Sequence, residues 1–260
     1  MTVASNRTGT AGTHCYHEPV LGNPLHRPPL LGLGLYSPGD AARMASLVAE
    51  EPVSGQAVRR WLWGYSYRRD GELRTGPPLW EPQVGTLDGD KVLTFRDLIE
   101  VLFVAVFRSK GVSLQTIRRV IEKAGELFEL SHPLSSLSFK TDGKTILADT
   151  VDDQERRLIF DLDTGQYLLE LVFGRLRAGL DYTDLFAARW WPLGKEHQVV
   201  LDPDRSFGRP IVVEEGVPTA ALAGAFRAER SVGAVAHWFG VSEEAVQDAL
   251  RYEARLAKAA

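Results

Sequence analysis

Apolar side chains recur at helical spacing in two stretches of the chain, one near each end, and the tract between them reads partly as strand. The first stretch opens at Tyr36-Ser37-Pro38, with Ser37 placed to cap a helix and Pro38 at its first position, where a missing N–H costs nothing. That helix is predicted from Pro38 to about Leu47, with Ala41, Ala42, Met44 and Ala45 as packing residues. A second is predicted to begin near Ser54 and to run from Gln56 to Leu62. Val58, Trp61 and Leu62 share one of its faces, while Gln56, Arg59 and Arg60 point elsewhere. Gly64 stops it. Turn formers crowd the next tract (Asp70-Gly71, Gly76-Pro77-Pro78, Asp88-Gly89), which predicts an irregular loop or β-wing. Thr94 then caps a helix from Phe95 through Phe107 to a stop near Gly111. Ser113 caps another from Leu114 to about Phe128, with Leu114, Ile117, Ile121 and Leu127 along its apolar stripe.

The middle of the chain predicts a hairpin, Leu137 to Lys140 and Thr145 to Ala148 around Asp142-Gly143, and a third short strand from Arg157 to Asp161. A helix follows from Gln166 to about Ala178, then short strands at Gln198–Leu201 and Pro210–Val213. The last helices are expected from Thr219 to Ala228, from Ser231 to Phe239 ended by Gly240, and from Glu243 to about Leu256 behind the cap Ser242. Helix, glycine-centred turn and capped helix is the spacing of a helix-turn-helix. Residues 1–34, rich in Gly, Pro, Thr and Asn, bury little apolar surface and read as a flexible tail. The organisation expected is therefore a mainly α protein with a minor β component (α+β): tail 1–34, a helix-turn-helix unit 35–128, a central β-hairpin/helix segment 129–195 and a helical C-terminal domain 196–260.

Composition adds exclusions. The net charge of −4 over 260 residues gives no global positive field, so any contact with nucleic acid must be local. Cys15 is the single cysteine and cannot close an internal disulfide, which fits a reducing, cytoplasmic setting. No apolar run is long enough to span a membrane. His14, Cys15, His17 and His26 lack the spacing of a tetrahedral metal set, so no metal and no cofactor is expected. There is no phosphate-cradling loop and no G-x-S-x-G elbow. The acidic group Asp149, Asp152, Asp153, Asp161 and Asp163 is explained by turns. The chain does not read as an enzyme.

One local charge anomaly remains. Residues 59–74 hold five arginines against Asp70 and Glu72. A helix-turn-helix seats an apolar back on its scaffold and presents polar and cationic side chains to the major groove. Ser54, Gln56, Ala57, Arg59 and Arg60 suit that probe, and Tyr65, Tyr67, Arg68, Arg69 and Arg74 continue the surface into the wing. Arg59 and Arg60 are placed for base edges; Arg68, Arg69 and Arg74 for phosphates. The second helix-turn-helix exposes Glu243, Glu244, Gln247 and Asp248, which would repel phosphates, so a partner or dimer contact is expected there instead; Val232, Val235, Trp238 and Phe239 are assigned first to core.

Leu35-Tyr36-Ser37-Pro38-Gly39-Asp40-Ala41-Ala42-Arg43, then Ser54 and Val58-Arg59-Arg60-Trp61, resembles the winged-helix core of MerR-type regulators. Leu93 to Leu98 and Gly111 to Arg119 resemble that family's following helices; its usual long dimerisation helix is missing. Val200-Leu201-Asp202-Pro203, Phe207-Gly208-Arg209-Pro210-Ile211-Val212, Val217-Pro218-Thr219 and Phe239-Gly240-Val241-Ser242 are similar to a small domain of unassigned function that recurs as the antitoxin beside PIN-domain ribonuclease toxins. The two together resemble one group of VapB-type antitoxins. The resemblance implies double-stranded operator DNA and a PIN-domain toxin as partners, autorepression and a homodimer. A PIN nuclease holds metal with clustered carboxylates, which a basic residue can enter. Arg205, Arg209, Arg251, Arg255 and Lys258 are the candidates, with Trp238 as an apolar contact. The rival readings are a ligand-sensing regulator with Trp190-Trp191 lining its pocket, and a hydrolase using the Asp161 cluster.

Overall fold

The computed structural model describes residues 30–49, 51–69, 71–140 and 176–259, together with Ile146, Thr150 and Gly174. The tail up to residue 29, the strand expected at 145–148 apart from Ile146, which is helical, the strand expected at 157–161, most of the helix expected at 166–178, the His/Cys group near the N-terminus and the Asp149–Asp163 cluster lie outside the described residues.

Helix α1 (Pro38–Ala49) is entered as expected: the Asp40 N–H donates to Ser37 Oγ at 3.1 Å, and the Ser37 hydroxyl donates back to the Asp40 carboxylate at 2.7 Å. Its small residues Ala41, Ala42 and Ala45 are buried with Met44. Helix α2 (Gly55–Trp63) starts where the Ala57 N–H donates to Ser54 Oγ at 3.1 Å, and it buries Val58, Trp61 and Leu62. Gly64 ends it with φ of +71°, and a Cβ there would lie 2.6 Å from the Gly76 carbonyl oxygen. The turn-rich tract that follows forms two antiparallel hairpins: β1 (Tyr65–Arg69) with β2 (Glu72–Gly76), and β3 (Gly85–Leu87) with β4 (Asp90–Val92).

Helix α3 (Phe95–Ser109) is the central rod. A capping box joins Thr94 and Asp97, and every residue from Asp97 to Phe107 is buried. Each large apolar side chain withdrawn from water there contributes roughly 1.5–3 kcal/mol before entropy is counted. Helix α4 (Leu114–Phe128) is capped by Ser113, whose Oγ accepts from the Thr116 N–H at 3.1 Å. Its buried stripe is Thr116, Ile117, Val120, Ile121 and Ala124; Leu127, expected on that stripe, is 63% exposed. Leu127 lies on the same side of the helix but in its last turn, beyond Ala124, the final buried residue of the stripe. Residues 137–140 are helical and not the strand that their alternation and the nearby Asp142-Gly143 suggested. Ser136 Oγ accepts from the Phe139 N–H at 3.0 Å, a cap that outweighs the β pattern.

The second sheet element was only half legible. Strands β5 (Leu180–Thr183), β6 (Phe186–Trp190), β7 (Val199–Leu201) and β8 (Pro210–Val212) form one antiparallel sheet in chain order. β7 and β8 were expected; β5 and β6 were not. Trp190 pairs with Leu201, so the sheet crosses the boundary drawn at residue 195. Helices α5 (Thr219–Glu229), α6 (Val232–Phe239) and α7 (Glu243–Lys258) close the chain, the last two capped by Ser231 and Ser242. α7 packs on α5 and α6 and also reaches α1. One apolar cluster extends from Tyr36 to Leu201 around α3; a second, containing Val212, Leu222, Val235 and Val246, lies within the C-terminal helices. No helix among the described residues is long and apolar enough to cross a membrane.

Candidate nucleic-acid interface

Burial of Val58, Trp61 and Leu62 fixes which face of α2 meets solvent. Gln56, Arg59 and Arg60 are exposed on it, with Ser54 at its start. Ala57 is half-buried against the main core and offers less surface than expected of a groove-reading residue. Nine residues make a rod of about 13 Å, or about two and a half turns.

The hairpin β1–β2 extends this face. Tyr65 and Tyr67, two residues apart and so on one side of the strand, are 41% and 39% exposed, with ring centroids 5.7 Å apart. The Arg60 guanidinium lies 5.8 Å from the Tyr65 ring centroid, which joins the helix to the hairpin through a cation–π contact. Arg68 and Arg74 are exposed; Arg74 sits 3.6 Å from Glu72, a solvent-facing pair that leaves it available. Arg69 falls in β1 opposite Glu72. Tyr65, Tyr67 and Arg74, which is paired with Tyr67 across the ladder, thus share one side of the hairpin next to Arg60, whereas Arg68 falls on the other side.

The base of the hairpin is fastened by residues that sequence reasoning missed. Arg118 of α4 donates to the carbonyls of Pro77 (3.0 Å) and Pro78. The Leu79 N–H donates to the Trp61 carbonyl at 2.7 Å, and the Lys91 ammonium lies 4.9 Å from the Trp63 ring centroid. Gly76 admits this arrangement because a Cβ there would collide with the Tyr65 ring.

Behind the surface lies a buried polar group. Asp97 accepts from the Trp80 indole N–H at 3.0 Å and bonds to His132 Nε2 at 2.9 Å. Burial alone would raise the Asp97 carboxyl; the His132 hydrogen bond and charge, with the Thr94 N–H and Trp80, outweigh it and hold the group below the usual carboxylate range. One turn on, Glu100 accepts from the Ser135 N–H at 2.8 Å, while its Oε2 is buried with no partner among the described residues. Burial pushes its carboxyl up to about 7, against the lowering influence of His132 and Ser135. Both groups tie the 131–136 segment to α3. A carboxylate inside the apolar run 98–107 was the available signal.

In the C-terminal part the expected partner residues separate. The Arg205 guanidinium donates to the carbonyls of Val213 and Glu214 and braces that turn. Arg251 bonds to Asp248 at 3.1 Å. Arg209, Arg255 and Lys258 are exposed. Trp238 is 61% exposed and Phe239 also meets solvent, so these two are not core as first assigned; eight residues suffice to bury one face of α6, which Val235 and Ala236 supply. Glu243, Glu244 and Gln247 are exposed as expected, but Asp248 is buried, accepting from the Gln198 N–H at 3.0 Å and bonding to His197 at 3.0 Å. Trp190 is core, whereas Trp191 is half-buried with its indole N–H on Asp181 at 2.8 Å. No group of His, Cys, Asp and Glu among the described residues is arranged to hold a metal ion.

Residues 199–252, from β7 to Tyr252 of α7, match the family described as "Protein of unknown function (DUF433)". A Mycobacterium tuberculosis protein named "Putative antitoxin VapB45" is 29% identical over 213 residues, covering 76% of this chain and 87% of its own. The chain is similar to an antitoxin-named protein over most of its length. The X-ray crystal structure of Rv2018 from Mycobacterium tuberculosis aligns with a TM-score of 0.64 at 24% identity, covering 85% of this chain and 99% of that one. At that identity the likeness speaks for the fold alone.

Proposed function

We propose that the protein is a DNA-binding antitoxin. The unit formed by α1, α2 and the β1–β2 wing is a MerR-like helix-turn-helix that binds operator DNA. The C-terminal part neutralises a PIN-domain ribonuclease toxin, and the pair represses its own operon with the antitoxin as a homodimer, which doubles the number of half-sites read. The observation that carries this reading is the amphipathic division of α2: Trp61 is 6% exposed while Arg59 and Arg60 face solvent beside an exposed Tyr65–Tyr67 pair. In a chain of net charge −4, such a cationic concentration fits phosphates and base edges. The similarity to an antitoxin-named protein supports the partner class.

Two measurements test it. Co-expression with the product of the adjacent gene should relieve growth arrest and yield a complex on purification; persistent arrest without a complex discards the antitoxin reading. Binding of the promoter fragment should weaken as salt rises and fall at least about tenfold in Arg59→Ala/Arg60→Ala. Unchanged affinity discards α2 as the reading helix.

A further inference from the structure

Two clefts of similar size border α1. One, of about 590 Å³, lies among α1, α2 and α3, and its arginines are already engaged: Arg43 with Asp40, and Arg108 with the Val112 carbonyl at 2.6 Å. The other, of about 540 Å³, lies where α1, α7 and the segment after β6 meet. Its chemistry differs. Leu47 and Val48 from α1 and Trp191 and Leu193 from the opposite wall are half-buried apolar side chains, over a floor that includes Leu176.

The rim charges can be accounted for one by one. Lys195 is bonded to Asp181, which also accepts from Trp191. Glu196 lies 3.8 Å from His197 Nε2. Arg255, on the last turns of α7, makes no side-chain hydrogen bond or ion pair among the described residues. The bland explanation is a cation complementing the C-terminal end of a helix. That accounts for the charge but not for four apolar side chains left half-covered beside it, in a cleft within the size range of small-molecule sites.

We propose that this cleft binds a small organic carboxylate with an apolar body, the carboxylate held by Arg255 and the body lying against Leu47, Leu193 and the Trp191 ring. A guanidinium fork matches a planar carboxylate, and Arg255 is the rim cation that has no partner among the described residues. Because one wall belongs to α1 and the charge to α7, a bound ligand fills the joint between the first helix of the proposed DNA-binding unit and the last helix of the chain. The site stands whether or not the antitoxin reading does.

The test uses the full chain and four probes: octanoate, octanol, octylamine and acetate. Calorimetry should show octanoate binding more tightly than the other three, which lack the charge, reverse it or lack the body. Arg255→Gln should weaken octanoate about tenfold while leaving octanol unchanged, the loss of one charge-assisted contact. Val48→Trp, or Leu193→Trp should the first variant unfold, should fill the cleft and abolish octanoate binding at an unchanged unfolding midpoint. Trp191→Phe should remove the octanoate-induced change in tryptophan emission. No detectable binding of octanoate at millimolar concentration, or equal affinity for octanoate and octanol before and after Arg255→Gln, overturns the proposal.

Discussion

The Tyr36 hydroxyl donates to the Gly208 carbonyl at 2.8 Å, across 172 positions of sequence. The Leu35 N–H adds a bond to the Phe207 carbonyl at 3.2 Å. The entry to α1 is therefore held by the loop before β8, in which Ser206, Phe207 and Gly208 all have positive φ. Tyr36→Phe should cost about 1–2 kcal/mol by leaving a buried carbonyl unpaired. Gly208→Ala should cost more, because its φ of +77° disfavours a side chain and the new Cβ would collide with the Tyr36 hydroxyl. Urea unfolding measures both; equal stability of the two variants would show that the contact is incidental.

Arg118 reaches the hairpin base and not the exposed face. Arg118→Ala is expected to raise the Kd for operator DNA several-fold by loosening the wing, with the salt dependence unaltered because no phosphate contact is lost. A shallower slope of log K against log salt would mean that Arg118 touches DNA itself.

Stability should fall between about pH 4.5 and about pH 7. Glu100 has a folded-state pKa raised to about 7 from 4.5, so over that interval the folded chain holds a proton that the unfolded chain has released. The contribution is on the order of 3 kcal/mol, absent at lower pH and fully expressed as a penalty above pH 7. Asp97 has the opposite sign: its depressed pKa stabilises the fold above its ordinary value of 3.8, and that contribution is lost as pH falls further. Glu100→Gln should flatten the upper slope and stabilise the protein at pH 8 relative to pH 5. Denaturation midpoints across pH in both proteins decide the point.

Trp238 and Asp248 should separate binding from folding. Trp238→Ala, at an exposed position, is expected to leave the unfolding temperature nearly unchanged while weakening the toxin complex about tenfold or more. Asp248→Ala removes the acceptor for Gln198, His197 and Arg251 and should destabilise the fold by about 3 kcal/mol. Loss of complex in the second variant but not the first would move the partner surface elsewhere.

Helices whose starts carry a hydroxyl cap were legible in the sequence. Ser54, Thr94, Ser113 and Ser242 each accept the N–H bond that their positions implied, because capping is decided within one turn. The division of α2 into an apolar back and a cationic face was readable for the same reason. Long-range pairings were not. β5 pairs with its neighbour β6, but β6 is held in the sheet by β7 and by residues 135–137, and nothing in the composition of 180–190 announces those distant neighbours. Asp248 read as a solvated carboxylate, since the groups that bury it lie 50 positions earlier. The role of Arg118 was not legible, since the prolines it holds are some 40 residues away.

The pairing of Trp190 with Leu201 has a practical consequence for anyone dissecting the molecule. Scissors placed at residue 195 would cut a β-ladder, leaving one fragment with an unsatisfied strand edge and the other without the indole that covers it. Chimaeras that graft the C-terminal helices onto another scaffold must carry residues 180–190 with them.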